Sequence, residues 1–399
     1  MCLVADIRGT VKTTTSAAAI AIVGAALIGG AATPASAGFS DVPGSYWASA
    51  AIKAVATDRD WMRDFGTSEF RPEEPLLRRH LARAVVRAFA PTESDSGERF
   101  SDLPQSDPSH PFASLAVKKG WMTAEGGTFR PDQAATKIEL DRALVRALGL
   151  DAEIEGLTKI HTADGRQLHH PAGFPELVLA LQLGMHFNHS SSSEWRELLP
   201  TSRVLRADGA YALWKATAAA GTSRVTALTR YREVELPAMS PNKRSVVEFA
   251  MAYAGYPYIY AAEWHTPTPK GYCCGEQIQG GFDCSGYTWW VLRRAADGYD
   301  NSSVRPYAGW ALPERSSRDM AKASRKRLRF KKVRTADVMF FDGDGGRTWQ
   351  GVDHVGMALG KGWMIDASSG RGGVGLTFAK SGWYRENFVW GRRIVPRKA

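Results

Sequence analysis

The chain has 399 residues, a formal net charge of +10 at neutral pH and 44% hydrophobic residues. This length exceeds that of one compact domain and predicts two or three domains. The basic charge predicts acidic polymers as partners, and the lack of a recognisable nucleic-acid-binding motif argues against nucleic acid.

Residues 1–37 have the layout of a cleaved secretory signal. Arg8 and Lys12 precede an apolar, alanine-rich stretch, and Ala35-Ser36-Ala37 provides a small-residue cleavage site. An uncleaved N-terminal anchor is the alternative. Because no later segment is apolar for long enough to span a bilayer, we expect an exported protein without a membrane span after signal cleavage.

Residues 38–216 contain an internal repeat with a period of about 60 residues. A third, degraded copy fits Phe174–Ala216, and each copy runs into a helix with apolar periodicity. The sequence therefore predicts three helical repeats at 38–92, 99–150 and 151–216. The sequences shared by the first two copies are Phe39–Val42 with Phe100–Leu103, Trp61-Met62 with Trp121-Met122, and Phe70–Pro72 with Phe129–Pro131.

These units resemble S-layer homology repeats. The resemblance implies an all-α region of helical hairpins that associate as three around a pseudo-threefold axis. The family's Thr-Arg-Ala-Glu signature has a basic residue at its second position in all three copies, namely Arg78, Lys137 and Arg206. The resemblance implies that these residues bind an anionic secondary cell-wall polymer, since such cations suit a carboxylate or phosphate. The alternative is that they only cap or cover helices.

Residues 217–243 are rich in alanine, threonine, serine and proline and are predicted as a linker, although Val225–Leu236 would also suit a strand or short helix. Residues 244–399 are predicted to form helices followed by short apolar runs bounded by glycine or aspartate, which is typical of strands. Much of the excess positive charge lies in Arg315–Arg334. This run is either a solvated surface or a second contact for an acidic polymer.

Cys284 is the candidate nucleophile. Phe282-Asp283-Cys284-Ser285-Gly286 places it at the start of a predicted helix, and His354 follows in Asp353-His354-Val355-Gly356. The unpaired N–H groups of a helix start and a nearby imidazolium both stabilise a thiolate. The pattern therefore predicts covalent chemistry on a carbonyl carbon.

Five motifs in order make residues 244–399 resemble the NlpC-type cysteine peptidases. The resemblance implies an α+β papain-like fold, no cofactor or metal, and the stem peptides of bacterial peptidoglycan as substrate. It also implies that two insertions, 259–281 and 292–310, flank the cleft. The motifs are Gly255–Tyr258, Phe282–Gly286, Leu312-Pro313, Asp337–Phe341 and His354–Gly356.

The resemblance gives each residue a role. Cys284 attacks the amide as a thiolate, and His354 takes the thiol proton and later protonates the leaving amine. Asp366, on the next predicted strand, orients the imidazole at a position where the family usually has histidine. Asp353 is the rival for that role, ranked second because strand alternation points it away from His354.

Three further residues are predicted to contact substrate: Tyr258, Asp283 and Ser285. The resemblance places Tyr258 at the oxyanion or the substrate backbone, and a core aromatic is the alternative for this residue. Asp283 and Ser285 are expected to meet the stem peptide.

Three cysteines remain once Cys2 leaves with the signal, so one is unpaired. The simplest partition pairs Cys273 with Cys274 and leaves Cys284 free. A metal site that combines them with His265 is poorly spaced. The other histidines of the polar loops are predicted at the surface, among them His169, His170, His186 and His189.

Two functions follow from these patterns. The first is a secreted, wall-anchored hydrolase that cuts an amide of the stem peptide, by family analogy the bond from D-glutamate to the diamino acid. The alternative is a noncatalytic wall-binding protein whose papain-like domain only holds glycopeptide.

Overall fold

The computed structural model describes residues 38–66, 68–94, 97–271, 273–293 and 312–396. The predicted signal segment and most of the predicted insertion at 292–310 lie outside these ranges. Within them, no helix is long and apolar enough to cross a membrane.

The repeat region consists of short helices joined by extended turns, with a π-helical turn at Lys53–Thr57 and a 3-10 helix at Ser191–Arg196. One two-residue strand, β1 (His161–Thr162), lies in the third copy. The helices are α1 (Ser49–Ile52), α2 (Arg78–Phe89), α3 (His110–Lys118), α4 (Lys137–Ala147), α5 (Asp151–Thr158), α6 (Phe174–Gln182) and α7 (Arg206–Ala219).

The three copies pair in a ring through the residues that precede α2, α4 and α7. Leu77, Thr136 and Leu205 are extended there. Isolated antiparallel bridges join Leu77 to Ala134, Thr136 to Arg203, and Pro75 to Leu205. The region is therefore helical but not purely α, because extended backbone has free N–H and C=O groups that pair with the neighbouring copy.

The segment predicted as a linker is partly buried. It contains α8 (Ser223–Thr226), a 3-10 helix (Ala227–Arg232) and β2 (Glu235–Leu236), which pairs in parallel with β1. Tyr231 is buried, and its hydroxyl donates to the Leu376 carbonyl at 2.7 Å. The segment thus packs against the C-terminal region.

The C-terminal region is a central helix on an antiparallel sheet. Its first elements are α9 (Pro241–Met251), β3 (Glu263–Trp264), β4 (Gly281–Phe282), α10 (Cys284–Leu292) and α11 (Ser317–Lys322). The elements that follow are β5 (Asp337–Phe341), β6 (His354–Gly360), β7 (Trp363–Ser368), β8 (Gly373–Phe378), α12 (Gly382–Glu386) and β9 (Phe388–Arg393).

The sheet order is β8-β7-β6-β5-β9. Every residue of α10 is buried, and the helix packs against β6 and β7. A helix that is apolar on all sides belongs in a core. Its first residue, Cys284, therefore faces the start of β6.

The third repeat packs directly on this sheet. Leu181 of α6 is buried against Gly373 and Gly375 of β8, where a Cβ at Gly373 would lie 3.4 Å from the leucine Cδ2. The Gln182 amide donates to the Leu376 carbonyl at 2.9 Å. The repeat region and the sheet thus share one apolar core.

Leu181→Asp is expected to lower the free energy of unfolding of the whole chain by about 3 to 5 kcal/mol, because it buries a charge between α6 and β8. Urea unfolding followed by tryptophan fluorescence measures this. Ile278→Asp is the matched control, since Ile278 is 60% exposed, and it should change little. An equally small effect of Leu181→Asp would mean that α6 and β8 do not depend on each other.

Candidate active site

Cys284 is the first residue of α10, and its side chain is 8% exposed. Asp283 caps the helix by accepting a hydrogen bond from the Gly286 N–H. Cys273 and Cys274 form a disulfide, so Cys284 is the free thiol of the described residues. This is the partition that the cysteine count predicts.

His354 and Asp366 meet across β6 and β7. The imidazole Nε2 lies 2.8 Å from Asp366 Oδ2, which leaves Nδ1 as the ring nitrogen available to the thiol. Gly356 makes this approach possible, because a Cβ there would lie 2.9 Å from the Asp366 Cβ. Asp353 instead accepts from the Gly343 N–H at 3.1 Å. In the structure His354 therefore pairs with Asp366 and not with Asp353.

Three polar side chains hold Asp366 in a fully buried position. Arg371 donates to Oδ1 at 2.8 Å, Thr377 to Oδ1 at 2.9 Å and the Tyr384 hydroxyl to Oδ2 at 3.3 Å. Burial alone would raise the pKa of Asp366, but the Arg371 charge and the His354 bond lower it to about 2. No sequence pattern indicates these supporting residues, since Arg371 lies in a glycine-rich turn and Tyr384 in a short helix.

His354 is held as a cation. Burial would lower its pKa, but hydrogen bonds to Asp366 and Cys284, together with their negative charges, raise the pKa well above its ordinary value. An imidazolium beside the sulfur favours the thiolate. The position of His354 therefore suits a base beside the Cys284 thiol.

The ionised Asp366 should make the fold acid-sensitive. The pKa of Asp366 is about 2 in the folded chain against an ordinary 3.8. The charged form therefore stabilises the fold fully above about pH 4, and this stabilisation is lost as the pH falls through about 2. The contribution is about 2 kcal/mol. In urea unfolding across this range, Asp366→Asn should lose less stability than wild type. The exposed Asp344→Asn should keep the wild-type pH dependence, and an unchanged slope in Asp366→Asn would contradict the assignment.

Asp283 and Ser285 are turned to the interior. The Arg315 guanidinium donates to Asp283 Oδ2 at 3.1 Å and to Ser285 Oγ at 2.8 Å, and it also pairs with Glu263. Arg315 is buried, so it is not part of a surface run as its neighbours in sequence suggest. The two predicted substrate contacts instead brace the start of α10.

Cys284 lines a cleft with a volume of about 560 Å³. Tyr258 lines it beside Cys284, and burial, followed by the charges of Cys284 and Asp283, raises the pKa of its phenol above the ordinary value. The structure thus brings the predicted residues Tyr258, Cys284 and His354 together in the cleft lining, with Asp366 buried behind His354. The other lining residues are Gln182, Asp353, Ser368, Ser369, Gly370, Arg371, Trp383 and Tyr384.

The three basic residues of the repeats do not face solvent. Arg78, Lys137 and Arg206 are 4%, 4% and 0% exposed. Arg78 Nε donates to the Phe129 carbonyl at 2.8 Å, and Arg206 Nε donates to the equivalent Phe70 carbonyl at 2.7 Å. Each cation also pairs with a carboxylate: Glu139, Asp141 and Asp64 respectively. Arg78 and Arg206 thus join neighbouring copies, whereas Lys137 pairs within its own helix, α4.

The side chains of His186 and His189 are only 6% and 5% exposed, contrary to the prediction that they lie at the surface. Both contact Glu197, at 2.6 Å and 3.2 Å. The prediction was wrong because a buried glutamate compensates these polar rings. His169 is exposed. No cluster of three or more His, Cys, Asp or Glu suited to a metal occurs among the residues with described positions.

Comparison with known proteins identifies two families. Residues 257–393 match the NlpC/P60 family, and residues 38–82 and 99–140 match the S-layer homology domain. The third copy, 151–216, is outside these matches. No curated protein matches the chain significantly.

Among solved structures, an NlpC/P60 family protein from Bacillus cereus is 23% identical, with 40% of this chain and 42% of that chain covered and a TM-score of 0.30. The peptidoglycan hydrolase RipB from Mycobacterium tuberculosis is 23% identical, with 39% and 65% covered and a TM-score of 0.28. RipD from the same organism, described as non-catalytic and adapted to peptidoglycan binding, is 21% identical, with 39% and 100% covered and a TM-score of 0.27. The chain thus spans less than two thirds of the first two.

Proposed function

Because the chain joins S-layer homology repeats to an NlpC/P60 region, we propose that it is an exported, wall-associated cysteine peptidase that cuts an amide bond in the peptidoglycan stem peptide. The observation that carries the proposal is that His354 and Cys284 line one cleft while His354 contacts the buried Asp366 at 2.8 Å. A thiol, an imidazole and a buried carboxylate in this order are the parts of a cysteine peptidase.

The first half of the reaction is acylation. The Cys284 thiolate attacks the amide carbon, and the backbone N–H of Cys284 donates to the oxyanion that forms. When the intermediate collapses, the C–N bond breaks and His354 gives its proton to the leaving amine. The products of this half are a thioester and a free amine.

Water completes the reaction. Neutral His354 takes a proton from the water, whose oxygen attacks the thioester carbon, and the C–S bond then breaks. The products are a carboxylic acid, which releases its proton to the solvent to become a carboxylate, and the restored Cys284–His354 pair. Asp366 stays ionised throughout, held by Arg371, and keeps the imidazole Nε2 bonded so that Nδ1 faces the sulfur.

The proposed scissile bond is the one from D-glutamate to the diamino acid, as the family resemblance implies. The test is digestion of purified peptidoglycan with the protein, followed by mass spectrometry of the released peptides. New amino termini on the diamino acid support the proposal. A noncatalytic wall-binding protein would release no peptide, and cleavage elsewhere in the stem would correct the bond.

We propose that the repeats hold the enzyme on the wall through an anionic secondary polymer. Arg78, Lys137 and Arg206 stay candidates for this contact, but each already neutralises a carboxylate. A polymer would therefore have to displace that carboxylate or bind to other cations. Arg325 and Lys326, exposed in the basic run, are the alternative anchor.

The wall-binding prediction uses the inactive Cys284→Ala protein, so that the wall stays intact. It should sediment with purified walls and be released as salt rises, because exposed charge pairs are screened. Walls stripped of their secondary polymer by acid should bind much less. If Arg325→Gln with Lys326→Gln removes binding instead, the anchor lies in the basic run.

A further inference from the structure

One side of the cleft has a carboxylate, Asp353, that forms no ion pair with a described lysine or arginine; the nearest cationic group in sequence is the neighbouring His354. Asp353 precedes His354 at the start of β6 and is exposed. It accepts one backbone hydrogen bond, from Gly343 at 3.1 Å, and no described lysine or arginine lies within ion-pair distance. The guanidinium in the cleft lining, Arg371, is committed to Asp366 at 2.8 Å. The Asp353 charge is therefore available to a ligand.

An aromatic ring lies beside this carboxylate. Trp383 is 44% exposed, and its ring centroid is 6.2 Å from that of His354. A Cβ built at Gly343 would lie 2.8 Å from Asp353 Oδ2 and 3.4 Å from Trp383 Cζ2. The glycine thus leaves open the spot that the carboxylate and the ring share.

This pair of groups selects a cation. A carboxylate is an acceptor only and forms its strongest hydrogen bonds with charged donors, while an indole face attracts an ammonium through its quadrupole. An anionic group would be repelled by Asp353, and a neutral one would gain no charge attraction. A substrate ammonium satisfies both groups.

The position of the pair shows which part of the substrate it meets. In the proposed reaction His354 protonates the leaving amine, so the residue that carries this amine lies over His354. Asp353 adjoins His354 in sequence and Trp383 adjoins it in space. Tyr258 is on the Cys284 and Asp283 side, whose charges act on its phenol. The pair therefore flanks the leaving group.

We infer that Asp353 and Trp383 bind a free ammonium group on the residue whose amine leaves. The inference rests on the proposed function and specifies its substrate as a peptide whose leaving residue is a diamino acid with its second amine uncapped. A free amino terminus on the other side of the scissile bond offers the same chemistry, and the experiment separates the two sources.

The experiment measures binding of three stem peptides to the inactive Cys284→Ala protein by calorimetry. The first has a free second amine on the diamino acid and an acetylated amino terminus. The second has both amines acetylated, and the third has only the amino terminus free. We expect the first to bind about 5- to 20-fold more tightly than the second, and the third to match the second.

Adding Asp353→Asn should abolish the preference, while the asparagine oxygen still accepts from Gly343. Trp383→Leu should reduce it. Asp344→Asn is the matched control, an exposed carboxylate of the same loop outside the cleft lining, and it should keep the preference. A preference that survives Asp353→Asn, or one for the third peptide, would overturn the inference.

Turnover of the same peptides by the wild-type protein tests the proposed function separately. If none is cleaved while the inactive protein still prefers the first, the ammonium site stands and the peptidase proposal fails. If all are cleaved without any binding preference, the peptidase proposal stands and the ammonium site fails.

Discussion

Replacement of Cys284 by alanine is expected to abolish peptide release from peptidoglycan, with a loss of at least about 10⁴-fold in kcat. No other thiol of the described residues substitutes for it, because Cys273 and Cys274 are joined in a disulfide. Release of peptides from purified walls, followed by chromatography over time, measures the effect. The substitution is small and leaves the Asp283 cap on the Gly286 N–H in place, so the fold should be unchanged.

Two controls make this result specific. The Cys284→Ala protein should keep the wild-type unfolding midpoint and should still sediment with walls. Cys273→Ser with Cys274→Ser should retain cleavage, because neither sulfur lines the cleft. Residual turnover near wild type in Cys284→Ala would refute the assignment of the nucleophile.

Asp366→Asn should lower kcat by about 10² to 10⁴-fold. The amide carries no charge to stabilise the imidazolium. If its NH₂ group donates to Nε2, the neutral imidazole has its proton on Nδ1, where it cannot accept the thiol proton. The buried Arg371 also loses its ionised partner. The measurement is kcat on a soluble stem peptide, with KM determined alongside, because a residue that acts through His354 should change kcat far more than KM.

Asp353→Asn is the matched variant for this comparison. On a peptide with both amines acetylated it should leave kcat within a few-fold of wild type, since Asp353 contacts the Gly343 backbone and not the imidazole. The reverse ranking of the two variants would mean that Asp353 orients His354. Equal and small effects would mean that the imidazole needs no carboxylate.

The apparent kcat should also depend on pH in a defined direction. The raised pKa of His354 means that the imidazolium, which protonates the leaving amine, persists to a higher pH than in free histidine. In Asp366→Asn this alkaline limit should move to lower pH, because one of the groups that raise the His354 pKa is gone. The shift distinguishes an electrostatic role of Asp366 from a purely steric one.

The local pattern of the sequence was sufficient to place the candidate nucleophile and the candidate base on their elements. Cys284 starts a helix and His354 starts a strand in the structure, as their motifs predict. Asp366 could be named because it falls on the strand after His354. The apolar periodicity that follows each repeat signature likewise predicted α2, α4 and α7. These features depend on residues that are close in sequence, so they can be predicted from a single sequence.

The partners of charged side chains were decided only by tertiary structure. Arg315 belongs by sequence to a basic run, yet Glu263 and Asp283 compensate it in the interior. Arg78 and Arg206 carry the family signature, yet carbonyls and carboxylates of the neighbouring copy surround them. A cation is buried only where a distant segment supplies its acceptors, and no local pattern records that segment.

The contact of the third repeat with the sheet also depends on segments that are distant in sequence. Gln182 lines the cleft because α6 packs on β8, where glycines leave room for Leu181. The sequence indicates that α6 is apolar and that β8 is glycine-rich, and it assigns them to different domains. Which apolar face covers which depends on shape complementarity across the folded chain, and therefore only the tertiary structure could show that Gln182 of the repeat region lines the candidate active-site cleft.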